Sequence, residues 1–177
     1  IEDKIFFNRF EEKRLFIYYS HEHPDHFSVP FLKSIEDKFR KDITVIFQNT
    51  RDGRVNSFLE KEGFSVIKLN NKKKFEFSKD FYITIGQVPF YDSWALIELE
   101  DKKILNANDC ILETPNRVQD IKTVTDTVDI LFTQFSYANW VEGGVRDGRK
   151  RALLAQEKLN RIKIQSEILN PKFIVPF

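Results

Sequence analysis

A layered α/β domain is the fold class this sequence predicts, and three observations predict it. Apolar, β-branched runs of strand length alternate with segments of helical period, early in the chain and again toward its end. Between them, residues 75–107 carry several short β-type runs joined by polar turns, the pattern of direct strand-to-strand connections. At 177 residues the chain fits a single domain, 1–177, and can bury a sizeable core, to which its 18 phenylalanines supply an aromatic interior.

Taken in order, residues 4–10 give only a short apolar patch, and 11–14 are charged. Residues 15–19, Leu-Phe-Ile-Tyr-Tyr, read as a buried strand that runs straight into a polar loop. Ser28 is an N-cap candidate with Pro30 in the first turn, and Phe31, Leu32, Ile35 and Phe39 share one face of a helix expected to end near Lys41. The β-branched run 43–47 predicts a second buried strand, parallel to the first. A helix over 54–62 is stopped by Gly63, and 64–69 alternates as a half-buried strand should. Strands are expected at 75–77, 81–85, 94–99 and 103–107, then a short helix over 116–126 and a strand over 128–135. The segment 146–169 predicts a long helix closed by Pro171, and 173–177 a last strand.

Composition excludes several classes. The 28 basic and 27 acidic side chains leave a formal net charge of +1, so no strong field for nucleic acid or a membrane surface follows. No apolar run approaches the ~18 residues of a membrane-spanning helix. The single cysteine, Cys110, cannot close an intrachain disulfide, which points to a reducing, cytoplasmic compartment. The chain opens at Ile1 without Met, so it is expected to be a piece of something longer, incomplete at both ends.

The chemistry concentrates at Ser20-His21-Glu22-His23-Pro24-Asp25-His26, which contains all three histidines. His21, His23, Asp25 and His26 put four metal-ligand types within six residues of the end of a buried strand. Such a root fixes the loop while its backbone lets imidazoles and a carboxylate converge on one ion, zinc or iron. The plain alternative is a chance cluster of surface histidines, which four fixed positions within six residues argue against. Asp109, at the mouth of the strand 103–107, reads equally as a ligand or as a turn or cap aspartate. Arg149 and Lys150, in the basic start of the long helix, read as a solvated face or, with Asn139, Trp140 and the Gly143-Gly144 turn, as a patch for an anionic small-molecule substrate.

H-x-H-x-D-H after a buried strand resembles the signature of the metallo-β-lactamase fold, an αββα sandwich with its metal site at one edge of the two sheets. The run 104–109 is similar to that family's strand ending in a metal-bridging aspartate. The resemblance implies that His21 and His23 serve a first divalent metal, that Asp25 and His26 serve a second, and that Asp109 bridges them. Segments 20–35, 103–110, 133–144 and 170–177 resemble the CMP-N-acetylneuraminate hydroxylase type, which implies a Rieske iron–sulfur partner domain elsewhere, since one cysteine cannot build one here. Two departures stand out. The first metal's third histidine belongs between Ile85 and Ser93, where only Gln87, Tyr91 or Asp92 offer substitutes, and the family's first strands, before Lys4, are missing or very short. A last family histidine falls past Phe177.

These residues support an enzyme, hydrolase or oxidoreductase, in which a metal ion lowers the pKa of water to near ~7 and Asp25 ligates, orients and accepts the proton. The alternative is a non-catalytic metal-binding or regulatory module with a degenerate site, which the missing histidine favours.

Overall fold

The computed structural model describes residues 14–135 and 148–177. Its first sheet is fully parallel and has the order β1-β2-β3, with β1 at Leu15–Tyr18, β2 at Ile43–Gln48 and β3 at Ser65–Leu69. The expected pairing of 43–47 with the first strand is present, with Leu15 opposite Ile43 and Tyr18 opposite Ile46. Parallel strands need crossovers, and short helices supply them: α1 (Val29–Ser34), α2 (Asp37–Arg40) and α3 (Arg54–Lys61).

The single helix expected to end near Lys41 is two helices here. Ser28 caps the first as expected, its Oγ accepting from Phe31 N at 3.3 Å. The chain then turns extended at Ile35 (φ −67°, ψ 124°), which drops the Ile35 side chain into the core. Arg40 compensates for the break: Nε donates to Ile35 O (2.8 Å), Nη2 to Lys33 O (2.9 Å) and Nη1 to Glu62 O (3.0 Å). A side chain thus satisfies carbonyls that a continuous helix would have paired internally.

The second sheet runs β4-β5-β6-β7-β8-β9: Lys74–Ser78, Phe81–Gln87, Ser93–Leu99, Lys102–Asn106, Ile130–Thr133 and Phe173–Pro176. The first four strands are antiparallel neighbours; β8 and β9 join in parallel, after the helices α4 (Pro115–Thr125) and α5 (Gly148–Leu169). The strand expected over 128–135 is shorter, because Asp129 is taken up as a clamp: its Oδ2 accepts from Lys103 N (2.8 Å) and its Oδ1 pairs with Lys172 Nζ (2.6 Å).

Alternation along the strands builds three separate cores. Val45 and Phe47 point from β2 toward Leu32, Val55 and Leu59 on the helices. Their neighbour Ile46 points the other way, into a core shared with Leu69, Ile83, Ile85 and Ala95 from both sheets. On β6, Trp94 and Leu96 face Val118, Ile121 and Leu169 of α4 and α5. The result is helix, sheet, sheet, helix. A period-2 strand buried on both faces must be apolar throughout, which is why these runs are continuous. Among the described residues no helix is long and apolar enough to cross a membrane.

Candidate metal centre

The histidine loop is rooted at one edge where the two sheets meet. Tyr18 Oη donates to Ser93 O on β6 at 2.9 Å, tying the sheets together. One residue past Tyr19, the carbonyl of Ser20 accepts from Gln48 Nε2 (3.1 Å) and from Ser93 Oγ (2.7 Å). Beyond that anchor, His26 N and Phe27 N both donate to His23 O, at 2.9 and 2.7 Å. This turn folds His26 back until its ring centroid lies 4.4 Å from that of His21. Phe27 locks the turn by packing edge-on against buried Tyr19 at 5.0 Å, and Glu22 pairs with Arg54 of α3.

Asp109 arrives from the other sheet. After β7, Asn106 Oδ1 accepts from Asn108 N (3.0 Å), and Asn108 adopts a left-handed φ of 51°, a conformation that asparagine tolerates better than most residues. Asn108 Nδ2 reaches Ser93 O at 3.3 Å, and Gln134 N donates to Asn108 O at 3.2 Å. The sharp turn delivers the Asp109 carboxylate between the two histidines. Oδ1 is 3.8 Å from His21 Nδ1 and Oδ2 is 3.6 Å from His26 Nε2. The ligating atoms of His21, His26 and Asp109 all lie within 4.8 Å of one another. Two ligands of one tetrahedral zinc, each about 2.0–2.1 Å from it, stand roughly 3.3 Å apart, and the 3.6 Å between Asp109 Oδ2 and His26 Nε2 is close to that spacing.

Asp92 completes the electrostatics. Its Oδ1 accepts from Ser93 N (2.6 Å) and lies 3.2 Å from His21 Nδ1. Burial opposes charge on His21, but the Asp92 carboxylate beside it, helped by Asp109 and Asp25, wins and raises the imidazole pKa. Burial likewise opposes the Asp92 charge, and the His21 contact outweighs it, so that carboxyl is held below its ordinary range. Burial and the same two aspartates push the Cys110 thiol well up, which leaves it a neutral, buried SH.

The donor set fits a divalent cation on one further observation: Asp109 Oδ1 is buried and has no hydrogen-bond partner. Buried carboxylate oxygens are normally satisfied, and an ion between Asp109 and the imidazoles would be such a partner.

The structure therefore gathers His21, His26 and Asp109, with Asp92 beside them. His23 and Asp25 are exposed on the loop. The His23 ring stacks edge-on to His21 at 4.5 Å, and Asp25 Oδ2 is 3.7 Å from His26 Nε2, so both sit at the rim of the cluster. Of the substitutes between Ile85 and Ser93, Asp92 points inward. Gln87 is turned toward Asn49 O (3.2 Å), and Tyr91 is 61% exposed. Arg149 and Lys150 lie exposed in the first turn of α5, whereas Asn139 and Trp140 fall outside the described residues. The seating residues Gln48, Ser93 and Asn108 were not anticipated; each is a polar residue at the end of a buried strand or just past it, which was the available signal.

No protein-family model and no curated protein matches the chain. Solved structures do. CmlA, a diiron β-hydroxylase from Streptomyces venezuelae, superposes with a TM-score of 0.67 at 15% identity, over 92% of this chain and 35% of that one. The metallo-β-lactamase fold protein YhfI from Bacillus subtilis gives 0.56 at 11% identity, over 94% of this chain and 75% of that one. Human tRNase Z, short form, gives 0.54 at 11%, over 90% and 73%. The chain spans about a third of the CmlA chain. At these identities the likeness establishes the fold: this is a metallo-β-lactamase fold, with the αββα layering that the histidine loop's resemblance implied. The family's opening strands, expected to be missing, would fall on residues outside those described.

Proposed function

We propose that this chain is a metal-dependent enzyme domain acting on an anionic small-molecule substrate. The observation that carries the reading is the convergence of His21, His26 and Asp109, from opposite sheets, around a buried Asp109 oxygen that nothing else satisfies. A divalent ion held there supplies Lewis-acid polarisation of a substrate oxygen and an activated water at neutral pH. The protein's own contributions are separable. Asp92 and Ser20 Oγ hold the His21 ring through Nδ1, and in that arrangement the other ring nitrogen, Nε2, would be the one to hold an ion. Asp25, exposed beside His26, would accept the proton of a water bound at the site.

Zinc or iron suits this donor set. The superposition on a diiron β-hydroxylase and on tRNase Z supports hydroxylation or hydrolysis as the reaction class. The finer reading is a hydroxylase-associated domain similar to the CMP-N-acetylneuraminate type. It would act on a nucleotide-linked sugar, with a Rieske-type partner domain and with Asn139, Trp140, Arg149 and Lys150 contacting substrate.

The test is a panel of anionic esters and nucleotide-linked sugars offered to the zinc-loaded and the iron-loaded protein, each beside Asp109→Ala. Turnover that disappears in the variant is expected. Absence of turnover with either metal, in a protein that binds the metal, favours the second reading, a non-catalytic metal-binding module. The lack of a histidine across residues 86–92 supports that alternative.

A further inference from the structure

The exposed cations at the start of α5 are not the ones the fold carries inward. Further along the helix, Arg161 is 5% exposed and Lys158 is half-buried. Both reach one acceptor, the Gln134 side-chain oxygen: Lys158 Nζ at 2.9 Å and Arg161 Nη1 at 3.2 Å. Gln134 lies just past β8, and its backbone N–H holds the carbonyl of Asn108, the residue before Asp109. The cluster therefore adjoins the turn that presents the metal-site carboxylate.

Donors outnumber acceptors here. Arg161 Nε and Gln165 Nε2 are buried and have no hydrogen-bond partner, while Gln165 Oε1 is already taken by Thr133 Oγ1 at 2.7 Å. Among the described residues, Glu113 pairs with the Arg161 guanidinium, and Lys158 has the Gln134 oxygen rather than a carboxylate as its hydrogen-bond partner. Burial and the neighbouring Arg161 push the Lys158 pKa down, and only Glu113, Asp109 and Glu157 pull it back. Buried N–H groups are ordinarily satisfied. Two spare donors beside a lysine ask for an anionic acceptor with two oxygens.

We propose that Lys158, with Arg161 and Gln165 behind it, seats a carboxylate group of the substrate beside Asp109. This deepens the metal-enzyme reading and rests on it. A carboxylate offers one oxygen to each of the two unpartnered N–H groups, Arg161 Nε and Gln165 Nε2. Lys158 and Gln134 are both partly exposed, so the group enters from their side.

The experiment is an acetate titration of the 15N-labelled full chain, metal-free and zinc-loaded. It follows the Arg161 Nε–H and the Gln134 and Gln165 side-chain amides, with inorganic phosphate as the comparison anion. The expected result is saturable movement of all three signals and tighter binding of acetate than of phosphate. In Lys158→Ala the acetate dissociation constant should rise at least tenfold, while zinc uptake stays unchanged. Signals that do not move, an unchanged constant in Lys158→Ala, or phosphate binding there more tightly would each overturn the proposal. His26→Ala separates the two ideas, since it should lose the metal and keep the acetate titration. Acetate binding in a chain that takes up no metal at all would leave this site standing and remove the metal reading.

Discussion

Leaving a buried acceptor unpaired costs about 1–3 kcal/mol, more when it is charged. Asp109 Oδ1 is such an atom, and the cost persists unless something else repays it when the site fills. Asp92 is the complementary case. It is buried, and its Oδ1 is paired to Ser93 N and lies beside His21 Nδ1, which makes it a residue that aims the imidazole. Outer carboxylates of this type typically carry 10–100-fold in metal affinity. Asp92→Ala should therefore bind zinc about 10–100-fold more weakly at unchanged stoichiometry, as measured by competition with a chelator. Unchanged affinity would show that Asp92 orients nothing. Loss of the whole equivalent would make it a ligand, in the place where the fold family keeps a histidine. From sequence, Asp92 stood level with Gln87 and Tyr91, because three polar side chains within six residues of a turn carry no period that says which one faces inward.

At the scale of elements, the site depends on how closely β5 and β6 approach before the chain turns at Pro89–Tyr91. Gly86 sits opposite Trp94, and a Cβ built there would lie 2.0 Å from the indole ring atoms, a clash with a side chain that is itself 1% exposed. Gly86→Ala should destabilise the fold by about 1–3 kcal/mol, seen as a lower midpoint in urea with an unchanged slope. A midpoint equal to the parent's would mean that the indole has room to move. That glycine was silent in the sequence, since a packing requirement across strands leaves no local signature. The strands themselves were readable, because each is buried on one or both faces and its period survives. The helix expected through Ile35 was misread for an identifiable reason: its apolar positions do fit one face, and the break is set by three hydrogen bonds from Arg40, a tertiary interaction that periodicity cannot register.

For the molecule as a whole, two sheets meeting along a shared core of Ile46, Leu69, Ile83, Ile85 and Ala95 make an edge at which loops from both can converge. The histidine loop leaves one sheet there and Asp109 leaves the other, and Tyr18, Gln48 and Ser93 hold the seam between them. The histidine loop read as a metal site from its own residues, whereas Asp109 by itself read equally as a ligand or as a turn or cap aspartate. That they form one site required the resemblance to a known fold, because 83 residues separate His26 from Asp109 and nothing local links them. Lys158 and Arg161 went unread for a related reason: within a helix rich in Lys and Arg, burial alone marks them, and burial is set by the packing of α5 on the second sheet. The central claim, that this edge is built to hold a metal ion, is tested most directly by the metal content of the purified chain. Plasma mass spectrometry without added metal should be run beside His26→Ala and Asp109→Ala. At least one equivalent of zinc, iron or manganese per chain, lost in both variants, is the expected result. A chain that is metal-free and stays so after incubation with zinc and ferrous iron would contradict it.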